Sequence, residues 1–495
     1  MDSSPTSVAA TSTAAFVDAV VEHARRSPEA VALTWRDHTV SYGALVRRAM
    51  LERERLAGLP AGEPLALPAV KSPRTLALIL ACLLDRRPLL LPSPTLGEEV
   101  LDALYGQAGV CHVLAAGKPP AATATGDGAH PLPGDTLLLL TTSGSTGTPK
   151  IVPLGAAALD RFTAWAGRAF GITTGTAVLN YAPLNFDLCL LEVWTTLARG
   201  GRVVLVDPDR ATRGRALLEL VARERPEVVQ AVPMFYRLLT DAAREKDRTL
   251  PSVRHAVITG DAMPGALLAR LPSVLPEARL YNLYGCTETN DSFLYEVRGA
   301  PDAGRPLPLG EPLPGVDALL VTGDGAVLDG PGTGELYVTT PFQSEGYLGP
   351  ADGSGGFVEH PERADGRRWF RTGDLVSRSA DGALTLVGRK DFQVKVRGVR
   401  VNPQEAEHRL LAHPDITEAA VVALPDPVAG HTLHAVARRA PGSGLNSLVL
   451  RGHLARGLAR AAIPSTLLIT DDPLPRTSTG KVDRDRAVRQ HRTAA

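Results

Sequence analysis

An α/β fold with a large N-terminal domain and a small α+β C-terminal domain is the architecture this sequence predicts, on three observations. Its 495 residues, 44% of them hydrophobic, exceed the roughly 250–300 that a single core usually holds, so more than one folding unit is expected. From about residue 14 to residue 340, short β-rich apolar runs alternate with longer stretches of helical period, the pattern of parallel sheets covered by helices. After residue 310 the texture turns to short strands punctuated by Gly and Pro, then to a strand–helix–strand–helix succession, which predicts a small β-rich section followed by an α+β unit.

Residues 1–13 are small and polar and are expected to form a flexible N-terminus. Order begins with the helical spacing of Phe16-Val17, Val20-Val21 and Ala24. Strands are expected at Thr136-Leu140, Ala177-Leu179, Val203-Val206, Val228-Val232 and Ala256-Thr259, then at Ala318-Val321, Glu335-Val338 and Ala383-Val387. A second unit is expected to start near Gly388-Arg389, with a strand over Val394-Val401, a helix over Gln404-Leu411, a strand over Ala419-Leu424 and a helix over Ser447-Ala461. The expected organisation is therefore a core domain 14–388, a junction at 389–391 and a C-terminal domain 392–495.

Lys plus Arg and Asp plus Glu each number 53, which argues against a nucleic-acid or acidic-membrane partner held by bulk charge. Cys82, Cys111, Cys189 and Cys286 form no CxxC pair, so neither a zinc site nor a disulfide framework is indicated. No run of about 18 apolar residues and no basic, apolar leader is present, and a soluble, cytoplasmic protein is expected.

The run Thr136-Leu140 leads directly into Thr141-Thr142-Ser143-Gly144-Ser145-Thr146-Gly147-Thr148-Pro149-Lys150. Glycines let such a backbone turn and approach a ligand, while amides, hydroxyls and an ammonium can surround phosphate oxygens. Lys150 follows Gly147 by three residues, which is not the GxxxxGK[ST] spacing, so a Walker-type site is not expected. Taken alone, the segment also fits an ordinary Ser/Gly/Thr surface loop.

SGSTGTPK resembles the phosphate loop of the adenylate-forming superfamily, which includes acyl-CoA synthetases, luciferases and nonribosomal-peptide adenylation domains. Further segments match that superfamily in order. Val40-Ser41-Tyr42-Gly43-Ala44-Leu45 is similar to its first N-terminal signature, Tyr281-Asn282-Leu283-Tyr284-Gly285-Cys286-Thr287-Glu288-Thr289 to its adenine and magnesium motif, and Arg371-Thr372-Gly373-Asp374-Leu375 to its ribose motif. Gly388 to Gly398 resembles its hinge segment, and Pro475-Arg476-Thr477-Ser478-Thr479-Gly480-Lys481-Val482-Asp483-Arg484 the loop of its catalytic lysine.

The resemblance implies the adenylate-forming enzyme fold, ATP and Mg²⁺ as cofactors, and attack of a carboxylate on the α-phosphorus of ATP. It implies a nucleotide site made of Thr142, Ser143, Gly144, Ser145, Thr146, Gly147, Lys150, Tyr284, Gly285, Thr287, Asp374, Arg389 and Lys481. Glu288 and Thr146 would hold the metal ion, a hard cation that prefers oxygen ligands, and Asp374 would accept hydrogen bonds from ribose hydroxyls. Lys481, Glu288 and Lys150 would be the catalytic set, with Lys481 stabilising the charge that develops during attack. Asp391 would be the hinge pivot; a polar interdomain turn without a gating role is the other reading of that residue.

Tyr181 to Trp194 resembles the FDxS region of amino-acid-activating members, which implies that Asp187 meets the substrate ammonium, a buried carboxylate needing a positive partner; a cap on the following helix is the other, lesser reading of that residue. The pocket carried over position by position is Asp187, Leu188, Leu191, Ala231, Val257, Thr259, Leu283, Asp291 and Ser292, with Lys481. Its lining is mostly apolar apart from Asp291 and Ser292, which points to a small amino acid and leaves a hydroxyl- or amine-bearing, proline-like or β-amino acid open. Cys286 stands where most such members have proline. The chain ends about a dozen residues after the lysine loop, so a carrier protein with a phosphopantetheine thiol, acting in trans, is the expected acceptor, coenzyme A the second choice, and an acyl- or aryl-acid:CoA ligase the alternative reading.

Overall fold

The computed structural model describes residues 14–96, 98–123, 129–142, 150–299, 306–349, 356–390, 394–396, 399–426, 430–456, 458, 460–477 and 480–492. The expectations for residues 1–13, for Ser143, Gly144, Ser145, Thr146 and Gly147 and for Asp391 lie outside these. The chain divides into two compact units, Met1–Pro208 with Pro341–Gly353, and Asp209–Thr340 with Ser354–Ala495; the junction expected at 389–391 falls within the second.

In the first unit, the helix Ala15–Arg26 buries Phe16, Val17, Val20 and Ala24, four of the residues whose spacing predicts it. Strands Ala177–Asn180, Arg202–Leu205 and Val31–Trp35 pair in parallel, and His38–Ser41 closes the edge antiparallel. The hairpin that ends there turns on Arg36, at φ 56, and Asp37. Without an Asn-Gly or Asp-Gly pair it carries little turn signal in sequence.

The Val40–Leu45 signature proves to be a packing device. The Ser41 hydroxyl accepts the Ala44 N–H at 3.2 Å and starts the helix Tyr42–Leu56. A side chain at Gly43 would lie 2.9 Å from the Pro28 carbonyl oxygen. The Tyr42 hydroxyl, on a residue 1% exposed, sits 2.7 Å from the Gly201 carbonyl oxygen and 3.0 Å from that of Leu197.

A second sheet of this unit runs Ala121–Ala122, His112–Val113, Leu65–Ala66, Leu89–Leu90, Thr136–Thr142, Lys150–Gly155. Its inner pairings are parallel and its two outer ones antiparallel. Parallel neighbours need a crossover, and the helix Pro73–Leu84 supplies the one between Leu65–Ala66 and Leu89–Leu90. Ser72 caps it by accepting the Thr75 N–H, Pro73 occupies its first turn, and every residue from Leu76 to Leu83 is buried, as expected of a helix that is apolar all round.

In the second unit, Val228–Ala231, His255–Thr259 and Arg279–Cys286 are parallel neighbours, followed antiparallel by Asn290–Val297 and Glu311–Pro312. The β-rich section is antiparallel throughout: Asp317–Val321, Gly332–Thr339, Trp369–Arg378 and Leu384–Arg389, with the short Phe357–Val358. The last sheet holds Val394–Val396, Val399–Val401, Ile416–Asp426, Gly430–Arg439 and Thr466–Thr470, packed with the helices Pro403–Leu411 and Ser447–Ala455 around Leu410, Val421, Leu433, Leu450 and Leu454.

Two elements differ from expectation. Val394–Val401, expected as one strand, is two short strands paired antiparallel with each other, Val394 opposite Val401; the apolar period slips by one between Val396 and Val399, where Arg397-Gly398 stands in the sequence. The helix expected over 447–461 ends at Ala455, and Arg460–Ala462 is a separate 3₁₀ turn. Gly457 stands just beyond that end in the sequence, where a helix stop is common. The helix-covered sheets of both units are also mixed, because their edge strands pair antiparallel. Among the described residues no helix is long and apolar enough to cross a membrane.

Tyr42→Phe removes the donor shared by two buried carbonyls. It is expected to cost about 1–2 kcal/mol, read as a lower urea midpoint; an unchanged midpoint would show that water replaces the hydroxyl.

Candidate active site

In the first unit, Thr142 and Lys150 are register partners at the end of an antiparallel pair of strands. Both are half-buried. The Lys150 ammonium lies 4.5 Å from the centre of the Tyr347 ring, a cation–π contact that holds the charge at the end of this pair.

Asp187 opens the turn after Phe186. Its carbonyl accepts the Leu190 N–H at 2.8 Å, and its Oδ1 accepts the Leu188 N–H at 3.0 Å. Asp187 and Leu188 are half-buried and Leu191 is fully buried. Leu191 belongs to a π-helical turn, Leu190–Thr195. There the Thr195 and Thr196 hydroxyls donate to the carbonyls of Leu190 and Leu191, five residues back, at 2.7 and 3.2 Å. Such turns are rare and are frequently found at functional sites.

Behind this turn lies a buried polar cluster that sequence reasoning missed. Glu192 is wholly buried; its Oε2 accepts from Asn180 Nδ2 at 2.6 Å and from the Ala182 N–H at 3.2 Å. The Lys71 ammonium, also buried, donates to the carbonyls of Asn180 and Tyr181, each at 3.1 Å. Cys189 Sγ donates to the Pro183 carbonyl at 3.2 Å. Burial pushes the Glu192 carboxyl up to about 8 and the Lys71 ammonium down to about 8, each charge partly offsetting the effect on the other. Burial also raises the Cys189 thiol, leaving it protonated and unreactive. The available signal was a glutamate inside the apolar run Leu190-Leu191-Glu192-Val193-Trp194, since an acid is almost never fully buried without partners.

In the second unit the predicted pocket residues sit on neighbouring strands. Val257 pairs with Tyr281, and Thr259 with Leu283. Residues two apart share a face of a strand, and register partners share a face of the sheet, so Val257, Thr259 and Leu283 form one surface. Leu294, the antiparallel partner of Leu283, continues this surface, and Ser292 is the unpaired residue of a β-bulge between Phe293, opposite Tyr284, and Asp291, opposite Gly285. Ala231 pairs with Ile258 and by register belongs to the opposite face. Asp291 is half-buried, whereas Ser292 is fully buried with its hydroxyl 3.4 Å from Thr289 Oγ1.

The turn between the strands Arg279–Cys286 and Asn290–Val297 carries the half-buried Thr287 and Glu288, which is 8% exposed. Gly285 is required there, because a side chain would lie 2.4 Å from the Asn290 carbonyl oxygen. Thr340 Oγ1 donates to the Thr289 carbonyl at 2.8 Å and pins the turn. Among the described residues no three His, Cys, Asp or Glu side chains gather as a metal cage. Mg²⁺ typically takes one or two carboxylates and fills its remaining positions with water and phosphate oxygens, so a single buried carboxylate on a pinned turn fits that ion. Burial and the Glu288 charge hold the Cys286 thiol well above its usual value, which removes it as a nucleophile.

Asp374 is the focus of this unit. Its Oδ2 accepts from the Tyr284 hydroxyl, and its Oδ1 accepts from Arg389 Nη1 at 2.7 Å. Arg389 is its register partner on the neighbouring strand. Burial and the Asp374 charge raise the Tyr284 phenol well above its usual range, so it stays a donor. Lys481 is exposed at the end of a tight turn, where the Gly480 N–H donates to the Thr477 carbonyl at 3.0 Å and the Thr477 N–H donates to the Lys481 carbonyl at 2.8 Å. Gly480, at φ 83, occupies the left-handed region that glycine tolerates.

Comparison with known proteins agrees with this geometry. Residues 20–348 match the family described as AMP-binding enzyme, and residues 405–481 match the AMP-binding enzyme C-terminal domain. The chain belongs to the AMP-binding enzyme family and has the adenylate-forming enzyme fold. It is 39% identical over 295 residues to an L-proline--[L-prolyl-carrier protein] ligase of Streptomyces coelicolor, covering 59% of this chain and 54% of that one. It is 33% identical over 361 residues to the ligase of the same name from Pseudomonas fluorescens, covering 72% of this chain and 69% of that one. The match thus spans only about half the length of the Streptomyces relative. In fold it is similar to ATP-bound MatB from Rhodopseudomonas palustris, with a TM-score of 0.80 at 23% identity over 98% of this chain and 100% of that one.

The buried pair sets a pH dependence. In the unfolded chain Glu192 ionises near its ordinary 4.5, but in the fold only near about 8, so its contribution makes stability fall as pH rises between those values. Lys71 loses its proton near about 8 in the fold against 10.5 ordinarily, so stability rises again above pH 8. For Glu192→Gln, the melting temperature is expected to decline less than that of the wild type between pH 5 and 8. Parallel melting curves for the two proteins would contradict the assignment.

Proposed function

We propose that this chain is an AMP-forming ligase that activates a small amino acid with ATP and passes the aminoacyl group to the phosphopantetheine thiol of a separate carrier protein. In the first step a carboxylate oxygen of the amino acid attacks the α-phosphorus, the bond to the bridging oxygen breaks, and pyrophosphate leaves with its electron pair. In the second, the carrier's thiolate sulfur attacks the acyl carbon and AMP leaves. Family membership and relatives named as prolyl-carrier protein ligases support this reading.

The observation that carries it is Asp187. A half-buried carboxylate whose Oδ1 accepts the Leu188 N–H, on a turn braced by Glu192, offers a fixed negative charge of the kind that forms a charge-assisted hydrogen bond with an ammonium. Leu188, Leu191, Val257, Thr259, Leu283 and Ser292 are the proposed lining, small and mostly apolar, with Asp291 at its polar edge. Asp374, oriented by Tyr284 and Arg389, would accept from the ribose hydroxyls. Lys150, with the Thr142–Gly147 segment, would neutralise the β- and γ-phosphates, and Lys481 would stabilise charge on the reacting carboxylate and α-phosphate. Glu288 and Thr146 would hold Mg²⁺, which when bound offsets phosphate charge. Asp391 is the proposed hinge.

ATP–pyrophosphate exchange with purified protein across the common amino acids, several β-amino acids and hydroxy and aryl acids tests the reading. Exchange with one small amino acid is expected; exchange only with acids lacking an amine would replace it with an acid:CoA ligase. Lys481→Ala should lower exchange by about 100-fold or more with an unchanged melting temperature, and retained exchange would remove its role. Asp187→Ala should lower kcat/KM for the amino acid by about 100-fold and leave its deamino analogue unaffected; equal losses on both would contradict the ammonium contact.

A further inference from the structure

We infer that Glu418 and Arg476 are positioning residues for Lys481, and that they seat its loop against the helix Pro233–Glu245 through Arg237. This rests on the proposed role of Lys481. Glu418 lies on the strand Ile416–Asp426, far from the lysine in sequence, and is 5% exposed. Its Oε2 accepts the Leu474 N–H at 2.8 Å, two residues before Arg476. Its Oε1 accepts from Arg476 Nη2 at 2.9 Å and from Arg438 Nη1 at 3.3 Å.

Arg476 turns its other nitrogen back on the loop: Nη1 donates to the Gly480 carbonyl at 2.8 Å. That carbonyl belongs to the peptide bond that leads into Lys481. Arg476 also bridges antiparallel to Val482, so the residues on both sides of the lysine, Gly480 and Val482, are held by Arg476. One fork-shaped guanidinium thus joins the carboxylate to the lysine's own backbone, a geometry that lysine or glutamine at 476 could not reproduce.

Arg237 completes the seat. Its Nη1 is buried without a hydrogen-bond partner and lies 3.5 Å from Glu418 Oε1, a charge contact between the helix Pro233–Glu245 and the strand. On the same helix, Met234 stands where a side chain at 480 would meet it at 3.1 Å. Three guanidiniums converge on one carboxylate, so removing it would leave like charges facing one another in a nearly dry site, and the lysine loop would lose its anchor.

The test compares Arg476→Met, Lys481→Ala and the double variant by pyrophosphate exchange with the best amino acid. Arg476→Met should lower kcat by about 10- to 100-fold while the KM values for ATP and amino acid hold within about twofold, since neither the ribose carboxylate nor Asp187 is touched. In the double variant the Arg476 change should add nothing to the Lys481→Ala loss, because it acts only through the lysine; losses that multiply would overturn the inference. Hydrogen exchange of the peptide 474–482 is a second readout independent of activity. It should quicken in Arg476→Met and in Glu418→Gln but not in Lys481→Ala, and unchanged exchange would equally overturn it. A wild-type protein that exchanges no acid would refute the proposed reaction, while the peptide measurement would still decide whether the loop is anchored in this way.

Discussion

Withdrawing a carboxylate from water costs several kcal/mol unless donors surround it, and this chain places one behind nearly every segment to which chemistry is assigned. Glu192 grips the backbone at Ala182 and the Asn180 side chain behind the Asp187 turn. Asp374 is held by Tyr284 and Arg389. Glu335, 5% exposed, receives Lys390 at 2.8 Å and Arg371 at 3.4 Å beside the proposed hinge. Glu418 anchors the lysine loop. Glu192 draws its donors from 10 and 12 residues earlier, but Asp374, Glu335 and Glu418 each take at least one donor more than 50 residues away, so their geometry is a consequence of global folding.

The same device divides labour between the exposed and the buried charges. Lys481 is exposed and Asp187 half-buried, whereas Glu418 and Glu192 behind them are buried and hold backbone rather than ligand. A reactive side chain on a loop is imprecise unless its backbone is tied down, and hydrogen bonds from a buried ion to main-chain amides and carbonyls tie it without filling the space the ligand needs. The π-helical turn at Leu190–Thr195 contributes in a similar way: the extra residue in its turn is stabilised by the Thr195 and Thr196 hydroxyls.

Much of this was legible from local pattern. The strands Thr136–Thr142, Ala177–Asn180, Arg202–Leu205, Val228–Ala231 and His255–Thr259 are apolar runs bounded by turns, and periodicity alone finds them. Where it fails, the reason is definite. Val394–Val401 alternates within each half, and the one-residue slip between Val396 and Val399 marks two strands that pair with each other. The hairpin at Arg36 lacks the usual turn residues. Ala231, carried over from the family pattern, falls on the opposite sheet face from Val257, and only the strand register reveals it.

By itself the sequence determined the class of the fold, the order of its elements and the family, because hydrophobic period, caps such as Ser41 and Ser72, and ordered motifs are properties of neighbouring residues. The tertiary structure alone decided which charges are buried and what each one holds: Lys71 with residues 180 and 181, Glu192 with Ala182, Glu418 with Arg476 and Arg237. The physical reason is that the protonation and partners of an acid or a lysine depend on water exclusion and on donors brought from distant parts of the chain, and neither is encoded at the position where the residue is written.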